Sequence, residues 1–189
     1  MARPRKFDEE RAIDAAMHAF WAAGYEATST EDLCRATGLG RSSIYNTFKS
    51  KRELFDKALR HYTTVRTARI LEALDGDRPV HDKIRTMFGQ ALQADGDEVG
   101  CLVVNASVEL APRDPEVAAL LKRDYDVRFN ALRTVFDTGR RTGEIAPDKE
   151  PERLAHFVIA AIGGMQVAAS AGADRATLQM IADTALTAL

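Results

Sequence analysis

A chain of 189 residues with 46% hydrophobic side chains can bury a substantial core, which excludes a disordered chain. A formal net charge of -2 excludes capture of a polyanion by bulk charge alone. Two cysteines, Cys34 and Cys101, do not suit a disulfide-stapled secreted domain.

The opening "MARPRKFDEE" is basic but lacks the apolar stretch of a signal peptide. Only six prolines and no alternating strand pattern predict an all-α fold of about nine helices. The first helix is read over about 8–23, with Ile13, Ala16, Met17 and Phe20 as its apolar stripe and Gly24 as its stop. A short second helix follows, with Thr30 as its N-cap and Glu31 and Asp32 in its first turn. "GLG" (38–40) forms a turn, and a third helix spans 41–48. Ser50 caps a long fourth helix over 51–74, whose core face is Leu54, Phe55, Ala58, Leu59 and Tyr62.

"DGDRP" (75–79) is the strongest breaker and the expected boundary between an N-terminal unit and a second domain, 75–189. Helices are read there at about 80–94, 99–111, 115–142, 150–172 and 174–188, with Pro115 and Pro151 in first turns. No apolar run reaches the ~20 residues of a membrane span, and 154–173, which carries His156, Gln166 and Ser170, reads as a buried or interface helix. Residues 1–62 hold 11 Lys/Arg against 9 Asp/Glu, a net of +2, and the remainder holds 15 against 19, a net of -4. The positive end is therefore the N-terminal one.

Two short helices joined by a glycine-containing turn form a helix-turn-helix, so 1–62 reads as a DNA-binding domain. In that motif the second helix enters the major groove and offers its N-terminal residues to base edges. Leu39, Ile44 and Phe48 point inward, which leaves Arg41, Ser42, Ser43, Tyr45 and Asn46 for DNA. Arginine can grip guanine with two hydrogen bonds, and serine can donate or accept. Lys51, near free backbone N–H groups of the next helix, suits a phosphate.

The stretch "FDEERAIDAAMHAFWAAGYEATSTEDLCRATGLGRSSIYNTFKSKRELFDKAL" resembles the DNA-binding domain of TetR-type (tetracycline-repressor) transcriptional regulators. The resemblance rests on Ala16, Phe20, Gly24, Tyr25, Thr28 and Ser29 and on "TGLGRSSIYNTFKSKREL". Gly40 departs from it where Ser or Thr is common, and Thr47 where an aromatic or His often sits. The resemblance implies base contacts from Arg41, Ser42, Ser43 and Tyr45, and phosphate contacts from Thr30, Asn46, Thr47 and Lys51. It implies a basic arm of Arg3, Arg5 and Lys6. It also implies a repressor that binds a palindromic double-stranded DNA operator as a homodimer, paired through the last two helices (about 152–188). The setting would be a bacterial cytoplasm, at the nucleoid.

The middle helices are then expected to form a pocket for an unknown small-molecule effector. Its expected lining is Phe88, Leu92, Val104, Asn105, Val108, Tyr125, Phe129 and Gln166, with Met87, Phe136, Glu109, Arg128 and His156 as further members. Enzyme motifs such as a P-loop, G-x-S-x-G or H-E-x-x-H are absent, and His18, His61, His81 and His156 lie far apart. No catalytic residue, metal or cofactor is expected. A redox-responsive regulator using Cys34 and Cys101 is the alternative trigger, weighed against two buried structural thiols. A sequence-neutral architectural DNA protein fits poorly with the varied polar set on the third helix.

Overall fold

The computed structural model describes residues 5–92 and 100–189. These residues form nine α-helices and no strand: α1 (Arg5–Ala23), α2 (Thr30–Thr37), α3 (Arg41–Phe48), α4 (Lys51–Leu74), α5 (Val80–Leu92), α6 (Leu102–Glu109), α7 (Pro115–Thr142), α8 (Pro151–Ser170) and α9 (Arg175–Thr187). Arg5 and Lys6 fall in the first turn of α1, and Arg3 lies outside the described residues.

The caps explain most boundaries. At the end of α1, Gly24 takes φ 82° and donates its N–H to Phe20 O at 2.8 Å. The N-cap of α2 is Ser29, not Thr30 as read from the sequence. Ser29 Oγ accepts from Asp32 N at 3.1 Å, and Asp32 Oδ2 accepts from Ser29 N at 2.9 Å. This reciprocal pair needs a side-chain acceptor three residues past the cap. Ser29 finds Asp32 there; Thr30 would find Leu33, which has none. Ser50 caps α4, accepting from Glu53 N at 3.0 Å. Asp114 caps α7, accepting from the N–H groups of Glu116 and Val117 at 3.1 Å each, with Pro115 in the first turn. The end of the 80–94 reading and the start of the 99–111 reading lie outside the described residues, and α6 begins only at Leu102.

Two apolar cores divide the molecule. One joins Phe20, Leu33, Ile44, Phe48, Leu54, Phe55 and Tyr62 to Leu102, Ala106, Leu110, Val117 and Leu121. The other joins Ile70 and Leu74 to side chains of α5, α7, α8 and α9. The helix α4 thus has one end in each core, and α6 with the first turns of α7 packs with the N-terminal helices. By length and composition α8 could cross a membrane, contrary to the sequence reading. Here Leu154, Ala155, Val158, Ile162 and Met165 bury one face of it in the second core.

Candidate nucleic-acid interface and adjoining cavity

Helix α3 has two faces. Ile44 and Phe48 are buried, and the ring of Phe48 shares its core with Phe20, Leu33 and Phe55. Arg41, Ser42, Ser43, Asn46 and Thr47 are all exposed. Tyr45 lies between these faces, half-buried, with its hydroxyl 3.2 Å from Thr30 Oγ1. The Thr30 bond is the main reason that the phenol sits below its ordinary pKa, and the Arg41 charge acts the same way. The guanidinium carbon of Arg41 stands 5.8 Å from the Tyr45 ring centroid. Thr30, Tyr45 and Arg41 therefore form one chain of contacts from the start of α2 to the start of α3. Capping by Ser29 leaves the Thr30 hydroxyl free for this contact.

Gly40, the N-cap of α3, has ordinary extended angles (φ -70°, ψ 155°) and makes no side-chain cap. A Cβ built there would meet nothing within 4 Å. Neither backbone strain nor crowding calls for glycine at this position. Lys49, in contrast, closes α3 at φ 59°, in the left-handed region that favours glycine.

The α1–α2 turn is gripped from two sides. Lys51 Nζ lies 4.4 Å from the Tyr25 ring centroid and donates to Glu26 O at 3.4 Å. On the other side, Glu109 at the end of α6 accepts from Tyr25 N at 2.9 Å and from Glu26 N at 2.7 Å. Asn105 Nδ2 donates to Trp21 O at 3.4 Å. Arg52 donates to Asp56 Oδ1 at 2.8 Å and also to Asp114, at the start of α7. The Arg52 bond, with the N–H groups at the start of α7, holds the Asp114 carboxyl down at about 2. Sequence reasoning missed the links made by Glu109, Asn105 and Asp114, because each joins residues about 60 to 85 positions apart. Glu109, expected among the polar residues of the pocket, clasps backbone N–H groups of the α1–α2 turn.

The sequence-based pocket residues are scattered over the fold. Phe88 is buried in the second core, with Leu92 packed against it. Val104, Asn105 and Val108 line a shallow depression beside Gly24 and Glu109. Tyr125 and Phe129 stack with His156, whose Nδ1 is 2.6 Å from the Tyr125 hydroxyl. Of the expected residues, Met87 and Gln166 line a cavity of about 680 Å³ between α1, α4, α5 and α8. Cys101 is buried and receives the Tyr62 hydroxyl at 3.4 Å, while Cys34 is half-buried on α2. No cluster of three or more metal-ligating side chains occurs among the described residues.

Comparison with known proteins adds to this geometry. Residues 12–58 match the family model of bacterial regulatory proteins, tetR family, and residues 81–185 match the tetracyclin repressor-like C-terminal domain. The chain is 31% identical to the HTH-type transcriptional repressor ComR of Escherichia coli, over 97% of this chain and 90% of ComR. It is 30% identical to an HTH-type transcriptional regulator of Bacillus subtilis, YezE, over the full length of both. Among solved structures, a cysteine mutant of the TetR family transcriptional regulator CifR, complexed with 26 bp double-strand operator DNA, superposes with a TM-score of 0.85. That match is 30% identical and covers 99% of each chain.

Proposed function

The chain belongs to the tetR family of bacterial regulatory proteins, and we propose that this DNA-binding transcriptional regulator is a ligand-responsive repressor that grips a palindromic operator as a homodimer. The observation that carries the reading is the split face of α3: Arg41, Ser42, Ser43, Asn46 and Thr47 exposed over buried Ile44 and Phe48. Arg41, Ser42, Ser43 and Tyr45 take the base edges. Thr30, Asn46, Thr47 and Lys51 take phosphates, which fix the register of the helix in the groove. Residues 1–62 act as the DNA-binding head, and 75–189 as the effector and dimer domain.

One such head covers a single half-site, and a dimer places two recognition helices about 34–36 Å apart. The outer surface of α8 and α9 supports pairing there. Phe157, Val167, Met180 and Ile181 are exposed at 39%, 53%, 62% and 37%. Exposed Ala160 and Gly164 on α8 permit close approach of a second helix.

An effector weakens DNA binding only by preferring the form whose heads are wrongly spaced. Two elements can carry that preference to the head: α4, which runs through both cores, and α6, whose Glu109 holds the α1–α2 turn.

Operator selection followed by gel shifts at fixed salt tests the function. Arg41→Ala and Tyr45→Phe are each expected to weaken specific binding about 5- to 150-fold, the ~1–3 kcal/mol of one base contact. Binding to random DNA should change little. Unchanged specific affinity in both variants would overturn the assignment of α3.

A further inference from the structure

We propose that the cavity between α1, α4, α5 and α8 binds a small organic carboxylate, whose charge is taken by Arg66; the inference rests on the ligand-responsive reading above and names the class of effector. Its volume, about 680 Å³, is that of a site for a small organic molecule. Trp21, Tyr62, Ile70, Met87 and Ile162 supply apolar wall, which suits a ligand with a hydrocarbon or aromatic body.

The charge balance behind the wall is uneven. Asp124 Oδ2 accepts from Arg128 Nε and Nη2 at 3.0 and 2.7 Å, and Arg66 Nη1 stands 3.9 Å from the same oxygen. Asp124 Oδ1 is taken by the Thr67 hydroxyl at 2.6 Å. The side chains of Asp124, Arg128 and Arg66 are only 4%, 7% and 15% exposed. Among the described residues one buried carboxylate therefore serves two guanidiniums, and no second carboxylate pairs with either. Burial first, then the Arg66 charge, lowers the pKa of Arg128. Uncompensated buried charge is costly unless something pairs with it. Of the two arginines, Arg66 is the one that faces the cavity.

The same wall holds buried polar atoms with no hydrogen bond among the described residues. Arg66 Nη1, Trp21 Nε1 and Gln166 Oε1 are all buried and unbonded. The first two are donors that a carboxylate accepts from, and the third would take a hydroxyl or N–H on the ligand. Asp14, the acidic member of the wall, faces His61 Nε2 at 3.5 Å and His18 Nε2 at 3.8 Å. Arg69 adds a second, exposed guanidinium. The buried Arg66 charge fits a monoanion, and the apolar wall favours a carboxylic acid over free phosphate. Because Trp21 sits on α1, an occupant touches the helix that begins the DNA-binding head as well as α5 and α8.

Trp21 is the only tryptophan of the chain, so its emission reports occupancy. The full-length protein is titrated with 4-phenylbutyrate, octanoate and benzoate, with 4-phenylbutyramide and with inorganic phosphate. A saturable emission change is expected with at least one carboxylate. Binding of 4-phenylbutyramide and of phosphate should be at least tenfold weaker than that carboxylate. Arg66→Gln should weaken carboxylate binding at least tenfold, and Arg66→Lys should recover part of it. The acid–amide comparison uses the unaltered protein, so it stands even if a variant fails to fold. Equal affinity for acid and amide, tighter binding of phosphate, no response to any carboxylate, or unchanged binding in a folded Arg66→Gln protein would each overturn the inference. Operator gel shifts on the same samples separate the two claims. Loss of carboxylate binding with intact operator binding removes only the effector class, whereas absent operator binding removes the proposed function.

Discussion

The exposed polar side chains of the head, Arg41, Ser42, Ser43, Asn46 and Thr47, come from seven consecutive residues of one helix. The cavity draws Trp21, Arg66, Met87 and Gln166 from four helices spread over most of the chain. The first arrangement is positioned by the period of a single helix, so its chemistry can be read from the order of residues. The second exists only because α1, α4, α5 and α8 meet. A third region, α6 with the start of α7, ties the two together through Glu109, Asn105 and Asp114. Measurements that loosen one region and watch the other show how strongly they are joined.

The largest effect is expected from Phe48→Ala, at a fully buried side chain under the recognition helix. Its loss should cost about 3–5 kcal/mol, as for other buried aromatic truncations. Because its core continues into Leu102, Ala106 and Leu121, a single cooperative thermal transition shifted downward is expected. Two separate transitions, with only the first shifted, would mean that the head unfolds alone.

Glu109→Gln tests the clasp more gently. It keeps the shape and removes the charge from two bonds to the α1–α2 turn, so a loss of about 1 kcal/mol is expected. Operator affinity or its response to effector should change more than overall stability does. An unaltered operator response would assign the coupling to α4 alone.

The Arg52–Asp114 pair gives a pH test. Asp114 titrates at about 2 in the folded protein, below its ordinary 3.8. A depressed carboxyl contributes its full stabilisation above the unfolded value and loses it as pH falls through the folded one. The melting temperature should therefore fall between about pH 4 and pH 2, and Asp114→Asn should flatten that part of the profile. An unchanged slope in the variant would remove Asp114 as its source.

The smallest effect is expected at Gly40. Its angles and free surroundings admit serine, which could cap α3. Gly40→Ser should stabilise by only a few tenths of a kcal/mol, roughly the difference between serine and glycine at an N-cap. A marked loss of operator affinity with that small gain would show that close approach to DNA, not folding, needs glycine there.

Periodicity and punctuation carried much of the fold in advance. The bounds of α3, α4 and α7 agree with the sequence reading to the residue, because glycine, serine and proline act on the chain beside them. The two faces of α3 follow from the same local rule. The Thr30 cap failed by one position for a reason that was itself local: only from Ser29 does the third residue onward, Asp32, offer a carboxylate.

The sequence by itself determined an all-helical chain and a polar recognition helix over an apolar underside, since both depend on residues within a few positions of each other. The Glu109 clasp, the two guanidiniums sharing Asp124 and the cavity beside Trp21 were decided by tertiary structure. Side chains tens of residues apart acquire partners only when helices pack, and no period along the chain records which helices will do so.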